Sequence, residues 1–89
     1  MTGQPLGAAV RELVRAHIPG RPAIQDDTEL LDSGLLDSLG IVSVISTLQD
    51  TYVIDFPPEV LAPETFQTPQ ALTSAVAVLI GRTVEHEER

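Results

Sequence analysis

The sequence contains no cysteine, which removes disulfides, thiolate metal sites and a catalytic thiol from consideration. Any thiol chemistry it takes part in has to come from an added group. Lysine is also missing: the five basic residues are all arginine, set against thirteen acids for a net charge of -8. Nucleic-acid binding normally clusters Lys and Arg on one face, so DNA and RNA are not expected partners. Aromatic residues are reduced to Tyr52, Phe56 and Phe66. Leu, Val, Ile and Ala must therefore build the core, a composition that favours helices packed on helices. Long apolar runs are absent too. The longest, Ala75 to Ile80, is far too short to span a bilayer, and Met1 to Ala9 lacks a basic region followed by an apolar stretch. A soluble cytoplasmic protein is expected.

Familiar catalytic and ligand-binding patterns are missing as well. The six glycines form neither the phosphate-cradling nor the dinucleotide pattern. The acids Asp26, Asp27, Glu29 and Asp32 lack the alternation, central glycine and closing glutamate of a calcium loop, so no metal site is expected. His17 falls at the end of the first helical segment and His86 in the C-terminal tail, with nothing to bring a nucleophile and an orienting group to either. A solvated surface imidazole is the simpler account of both.

At 89 residues the chain has the size of one domain with a single hydrophobic core, expected over residues 1–84 with a flexible polar tail over 85–89. Three segments have helical periodicity. The first runs from about Pro5 to His17, with Leu6, Val10, Leu13 and Val14 on one face, and Pro19-Gly20 stops it. The second starts at Ser38 and ends near Tyr52, its buried stripe being Ile41, Val44, Ile45, Leu48 and Tyr52. Asp37 and Ser38 are both residue types that accept hydrogen bonds from the amides of a first helical turn. The last helix takes Thr68 as cap and Pro69 as first residue, runs to about Ile80 and stops at Gly81. Between the first two helices lies a long acidic connection, Ile18 to Asp37. Its Leu30, Leu31, Leu35 and Leu36 predict that it folds down over the helices. A short helical turn is expected around Pro63 to Phe66. The whole predicts an all-α bundle of three to four helices, up-and-down in character, with a long first loop.

The distinctive stretch is Ser33-Gly34-Leu35-Leu36-Asp37-Ser38-Leu39, followed at once by an amphipathic helix. A serine in the first turn of a helix projects from the end of the domain, beside free amides and a partial positive charge that suit a phosphodiester. Gly34 to Leu39 resembles, position by position, the attachment motif of the phosphopantetheine carrier family. That family includes acyl carrier proteins, peptidyl carrier domains and freestanding D-alanyl carriers. The likeness extends to the acidic leucine-rich segment Asp27 to Leu36, to Tyr52-Val53-Ile54-Asp55-Phe56-Pro57, and to Leu61 to Thr68, the last most like the D-alanyl and peptidyl types.

The resemblance implies a freestanding carrier with no catalysis of its own, holding an acyl or aminoacyl thioester on a 4'-phosphopantetheine arm. A phosphopantetheinyl transferase would move that arm from coenzyme A to Ser38, with Asp37 assisting the magnesium-dependent modification. An adenylating ligase or acyltransferase and a downstream transferase or synthase of a biosynthetic pathway would be its further partners. Leu39, Val42, Ser43 and Ser46 fall off the buried stripe and are expected to face those enzymes. The off-stripe positions of the second helix are nearly neutral, where fatty-acid carriers have glutamates, which leans the cargo toward an aminoacyl or peptidyl type. A monomer is expected, since no large apolar face is left over. The alternative reading is an acidic helical adaptor that binds a basic protein partner and bears no prosthetic group.

Overall fold

The computed structural model describes residues 5–87 of the chain, with side chains over 5–82. Among the described residues four α-helices follow in chain order: α1 (Leu6–Ala16), α2 (Ser38–Tyr52), α3 (Pro63–Phe66) and α4 (Pro69–Glu87), with a 3₁₀ turn, Pro58–Val60, between α2 and α3. No strand occurs among the described residues, and the all-α bundle expected from the periodicity is what the chain forms. No helix among the described residues is long and apolar enough to cross a membrane.

Each helix buries the face its sequence marks. Val10 and Val14 of α1, Val44 and Leu48 of α2, and Leu72 and Val76 of α4 are fully buried. They meet because α1 packs chiefly on α4 and also touches α2. Ile41, Ile45 and Tyr52, expected on the buried stripe of α2, are half-buried and pack against the edge of this core. Phe56 and Phe66 close the α3 end, their rings stacked with centroids 6.0 Å apart.

The long connection between α1 and α2 is not free. Ile18, Ile24, Leu30 and Leu36 are buried in the common core, and backbone bonds tie the segment to the α3–α4 junction: Leu30 N to Gln67 O at 2.7 Å and Gln70 N to Asp26 O at 3.0 Å. The Gln67 side chain adds an acceptor for the Asp32 amide at 3.2 Å. An Arg11–Asp26 ion pair joins the same segment to α1. Leucines alternating with acids are thus an anchoring pattern, with the apolar side chains inward and the carboxylates in water.

Helix ends follow local chemistry. Thr68 caps α4 by accepting from Ala71 N at 3.1 Å, as its position before Pro69 predicts. The stop expected at Gly81 does not occur, because α4 continues to Glu87. A glycine ends a helix by adopting the left-handed conformation. Among the described glycines only Gly20 and Gly34 have a positive φ, so Gly81 stays helical and the ladder runs through it. The expected tail therefore begins in helix: the backbone of 85–87 is α-helical, and residues 88–89 lie outside those described. At the end of α2 the left-handed cap is Val53, φ 54°, an unusual residue for that conformation. The connector is held there by Gln49, whose backbone oxygen accepts from Ile54 N at 3.2 Å and whose Oε1 accepts from Phe56 N at 3.1 Å.

Candidate functional site

The site is built by the turn that delivers the chain into α2. Gly34 takes φ 80°, a conformation that admits glycine without strain, and its amide donates to Leu31 O at 3.0 Å. Ser33 Oγ donates to the Glu29 carbonyl, and Leu36 N donates to Leu30 O at 3.0 Å. Leu36 is buried, so the chain is fixed in the core two residues before Ser38. Asp37 is extended, φ -107° and ψ -172°, and its Oδ1 accepts from Gly40 N at 2.9 Å. It is the N-cap of α2.

Ser38 is therefore the first residue of the helix and not its cap. Its side chain is exposed, at the positive end of a 15-residue helix. Leu39 and Val42 are 77% and 62% exposed, and Ser43 and Ser46 are exposed beside them. The spacing 39, 42, 43, 46 sets these four on one face of α2, opposite the core and running away from Ser38. All six residues singled out in the sequence fall on one end and one face of the same helix.

Gly40 has a role that spacing alone did not expose. A Cβ on it would lie 2.9 Å from Leu36 Cδ2 and 3.4 Å from Asp37 Oδ1, so a side chain here would push against the two residues that set the turn. A first-turn glycine costs little helix stability and gives no sequence signal of such a contact.

His17 differs from the expectation of a solvated imidazole. It is half-buried at the end of α1, with Nδ1 donating to Leu13 O at 2.9 Å and Nε2 3.3 Å from the Thr47 hydroxyl. Both ring nitrogens are engaged, Nδ1 with the last turn of α1 and Nε2 with Thr47 of α2, which gives this histidine a structural role. The side chain of His86 lies outside the described residues.

Two hollows flank α2. One, of about 430 Å³, opens between the end of α1 (His17 and Ile18), the turn at Leu35 to Asp37, and Leu39, Gly40 and Ser43 of α2. The other, of about 290 Å³, lies between α2 and α3 and is lined by apolar side chains, among them Leu31, Ile41, Ile45, Leu61 and Phe66. An exposed hydroxyl at a helix N-terminus whose cap is supplied by a neighbour suits a covalent phosphodiester, because the hydroxyl is not needed for folding and the first amides favour negative charge.

No curated protein matches the chain. The family described as the phosphopantetheine attachment site matches it over residues 8–76, from the first turn of α1 to the middle of α4. In that family the bound group is a covalently attached 4'-phosphopantetheine, and the chain, with its all-helical bundle and the match over most of its length, belongs to the phosphopantetheine carrier proteins.

Proposed function

We propose that Ser38 bears the phosphopantetheine arm and that the protein carries an acyl or aminoacyl group on it as a thioester, presenting the cargo to enzymes while catalysing nothing itself. The observation that supports the choice of serine is its position. It is exposed at the first turn of α2, with capping already done by Asp37. The arm, once attached, supplies the thiol that the cysteine-free chain lacks. The residues of the chain do the rest: the α2 N-terminus favours the phosphate, the buried Leu36 holds the turn in place, and Asp37 supports the modification from the adjacent position.

Partner enzymes dock, on this reading, along Leu39, Val42, Ser43 and Ser46. They are a phosphopantetheinyl transferase, an adenylating ligase or acyltransferase, and a downstream transferase or synthase of a biosynthetic pathway in the cytoplasm. The exposed side of α2 carries one acid, Asp50, so apolar contact and shape count for more there than ion pairing, in keeping with an aminoacyl or peptidyl cargo. The test is intact mass after incubation with coenzyme A and a promiscuous phosphopantetheinyl transferase. A gain of one phosphopantetheine, lost in Ser38→Ala while Ser33→Ala and Ser43→Ala retain it, is the expected result. A gain that persists in Ser38→Ala refutes the assignment.

A further inference from the structure

We infer that Gly40 is a positioning residue for the modification of Ser38. By carrying no side chain it lets Leu36 lie against the first turn of α2, and this contact fixes where the serine hydroxyl stands. The inference rests on the assignment of the arm to Ser38 made above.

The first turn of α2 is held to the bundle at few points. Ser38 and Leu39 are exposed, Gly40 and Ile41 are half-buried, and the first residue of the helix to be fully buried is Val44. Two of the contacts that fix the turn converge on Gly40. Its amide donates to Asp37 Oδ1 at 2.9 Å. Its open side faces Leu36, where a Cβ would stand 2.9 Å from Cδ2, and 3.4 Å from the same Asp37 oxygen.

Backbone conformation does not call for glycine here. Gly40 is helical and is not one of the glycines with positive φ, so alanine would be the better residue on propensity alone. Space is what calls for it. Leu36 is buried and packed in the common core, where a side chain has few rotamers open to it. A methyl group at residue 40 therefore displaces the first turn, with Ser38 two residues away, relative to the body of the bundle.

Modification is sensitive to such a displacement. The Ser38 oxygen bonds to the phosphorus that bears pantetheine, the bond from that phosphorus to the adenosine bisphosphate half of coenzyme A breaks, and the hydroxyl proton passes to a base of the transferase. A reacting atom misplaced by about 1 Å costs on the order of 10²-fold in rate. Val42, Ser43 and Ser46, on the proposed docking face, lie beyond the displaced turn, so binding suffers less than the chemical step.

The experiment is steady-state kinetics of modification on the full chain, with coenzyme A saturating and the carrier varied. Wild type, Gly40→Ala, Leu36→Val and the double variant are compared, each checked for folding by circular dichroism at the assay temperature. Gly40→Ala should lower kcat about tenfold or more while KM stays within about twofold. Added to Leu36→Val, which has no Cδ2 to meet, the same substitution should leave the kcat of that variant unchanged. Val76→Ala, at a fully buried position of α4, should keep the wild-type kcat, which separates positioning from lost stability. A wild-type kcat in Gly40→Ala overturns the inference. So does equal slowing in both backgrounds, since the new methyl group would then be meeting the transferase and not Leu36, and so does a slow Val76→Ala. If Gly40→Ala does not fold, the double variant decides: modification at the Leu36→Val rate supports the inference, and an unfolded or slower double variant overturns it. All these outcomes leave Ser38 as the bearer of the arm, whereas a mass gain that survives Ser38→Ala overturns both.

Discussion

Asp37 and Ser38 are adjacent, exposed and both of a type that caps helices, yet only Asp37 does so, and paired substitutions separate them. In Asp37→Ala the Gly40 amide loses its acceptor at 2.9 Å. Loss of an N-cap costs about 0.5–2 kcal/mol, typically ~1. Water reaches this exposed turn and takes over part of the bond, so about 1 kcal/mol is the figure to expect. Two charge effects oppose one another. The carboxylate is favourable at the positive end of α2 by about 0.3–1 kcal/mol, and removing one acid from a chain of net charge -8 relieves some repulsion. Asp37→Asn keeps the acceptor and drops the charge, so it isolates the charge effects and should fall within about 0.5 kcal/mol of wild type. Ser38→Ala removes a hydroxyl that caps nothing and installs a better helix former, so stability should hold or rise slightly, within about 0.5 kcal/mol. For a domain of this size 1 kcal/mol corresponds to about 4–8 °C in Tm. Far-UV circular dichroism melts should therefore show Asp37→Ala lower by about that much and the other two near wild type. Urea midpoints should shift in the same order at constant m. If Ser38→Ala is as damaging as Asp37→Ala, or if Asp37→Ala is silent, the assignment of cap and hydroxyl is wrong.

Two glycines of the same sequence class should respond with opposite sign. Gly81→Ala, in an open stretch of α4 with nothing within 4 Å of the new Cβ, should stabilise by about 0.5–1 kcal/mol. Gly40→Ala forces a Cβ to 2.9 Å from Leu36 Cδ2. Overpacking of about 1–3 kcal/mol outweighs its helix gain, so its urea midpoint should fall. Leu48→Ala, at a fully buried position, should cost about 2–5 kcal/mol, read from the same denaturation curves. Leu39→Asp should slow modification by the transferase about tenfold, equivalent to ~1.4 kcal/mol, with Tm unchanged and with less sensitivity of wild-type KM to added salt than an acidic α2 would give.

The parts of this structure legible in the sequence are those written in periodicity and caps. The start of α2 at Ser38 and its end at Tyr52, the Thr68-Pro69 entry to α4 and the anchoring leucines of the first loop all come from local patterns that packing reinforces. What was not legible depends on contacts between distant segments or on a choice of φ. Gly81 has the composition of a stop, but stopping requires a left-handed turn that the chain does not make. The engagement of His17 needs Thr47, thirty residues away. The closeness of Gly40 to Leu36 depends on how sharply the turn folds back, which no count of apolar positions contains. The left-handed Val53 is tolerated because Gln49 holds the following strand of chain from both its backbone and its side chain, again a contact and not a propensity.

These contacts bear on how a carrier of this kind can work. Leu36 is buried two residues before Ser38 and Val44 six residues after it, so the attachment point proposed here stands between two core anchors and moves with the body of the bundle. The docking face proposed at Leu39, Val42, Ser43 and Ser46 belongs to the same helix. A partner that binds this face orders little of the protein, and association is spared much of that entropic cost. A rigid post has no means of moving cargo from one enzyme to the next. The reach must then come from the flexible arm and from exchange of whole partners on a single face, so two enzymes that both read α2 exclude one another and handle the cargo in turn.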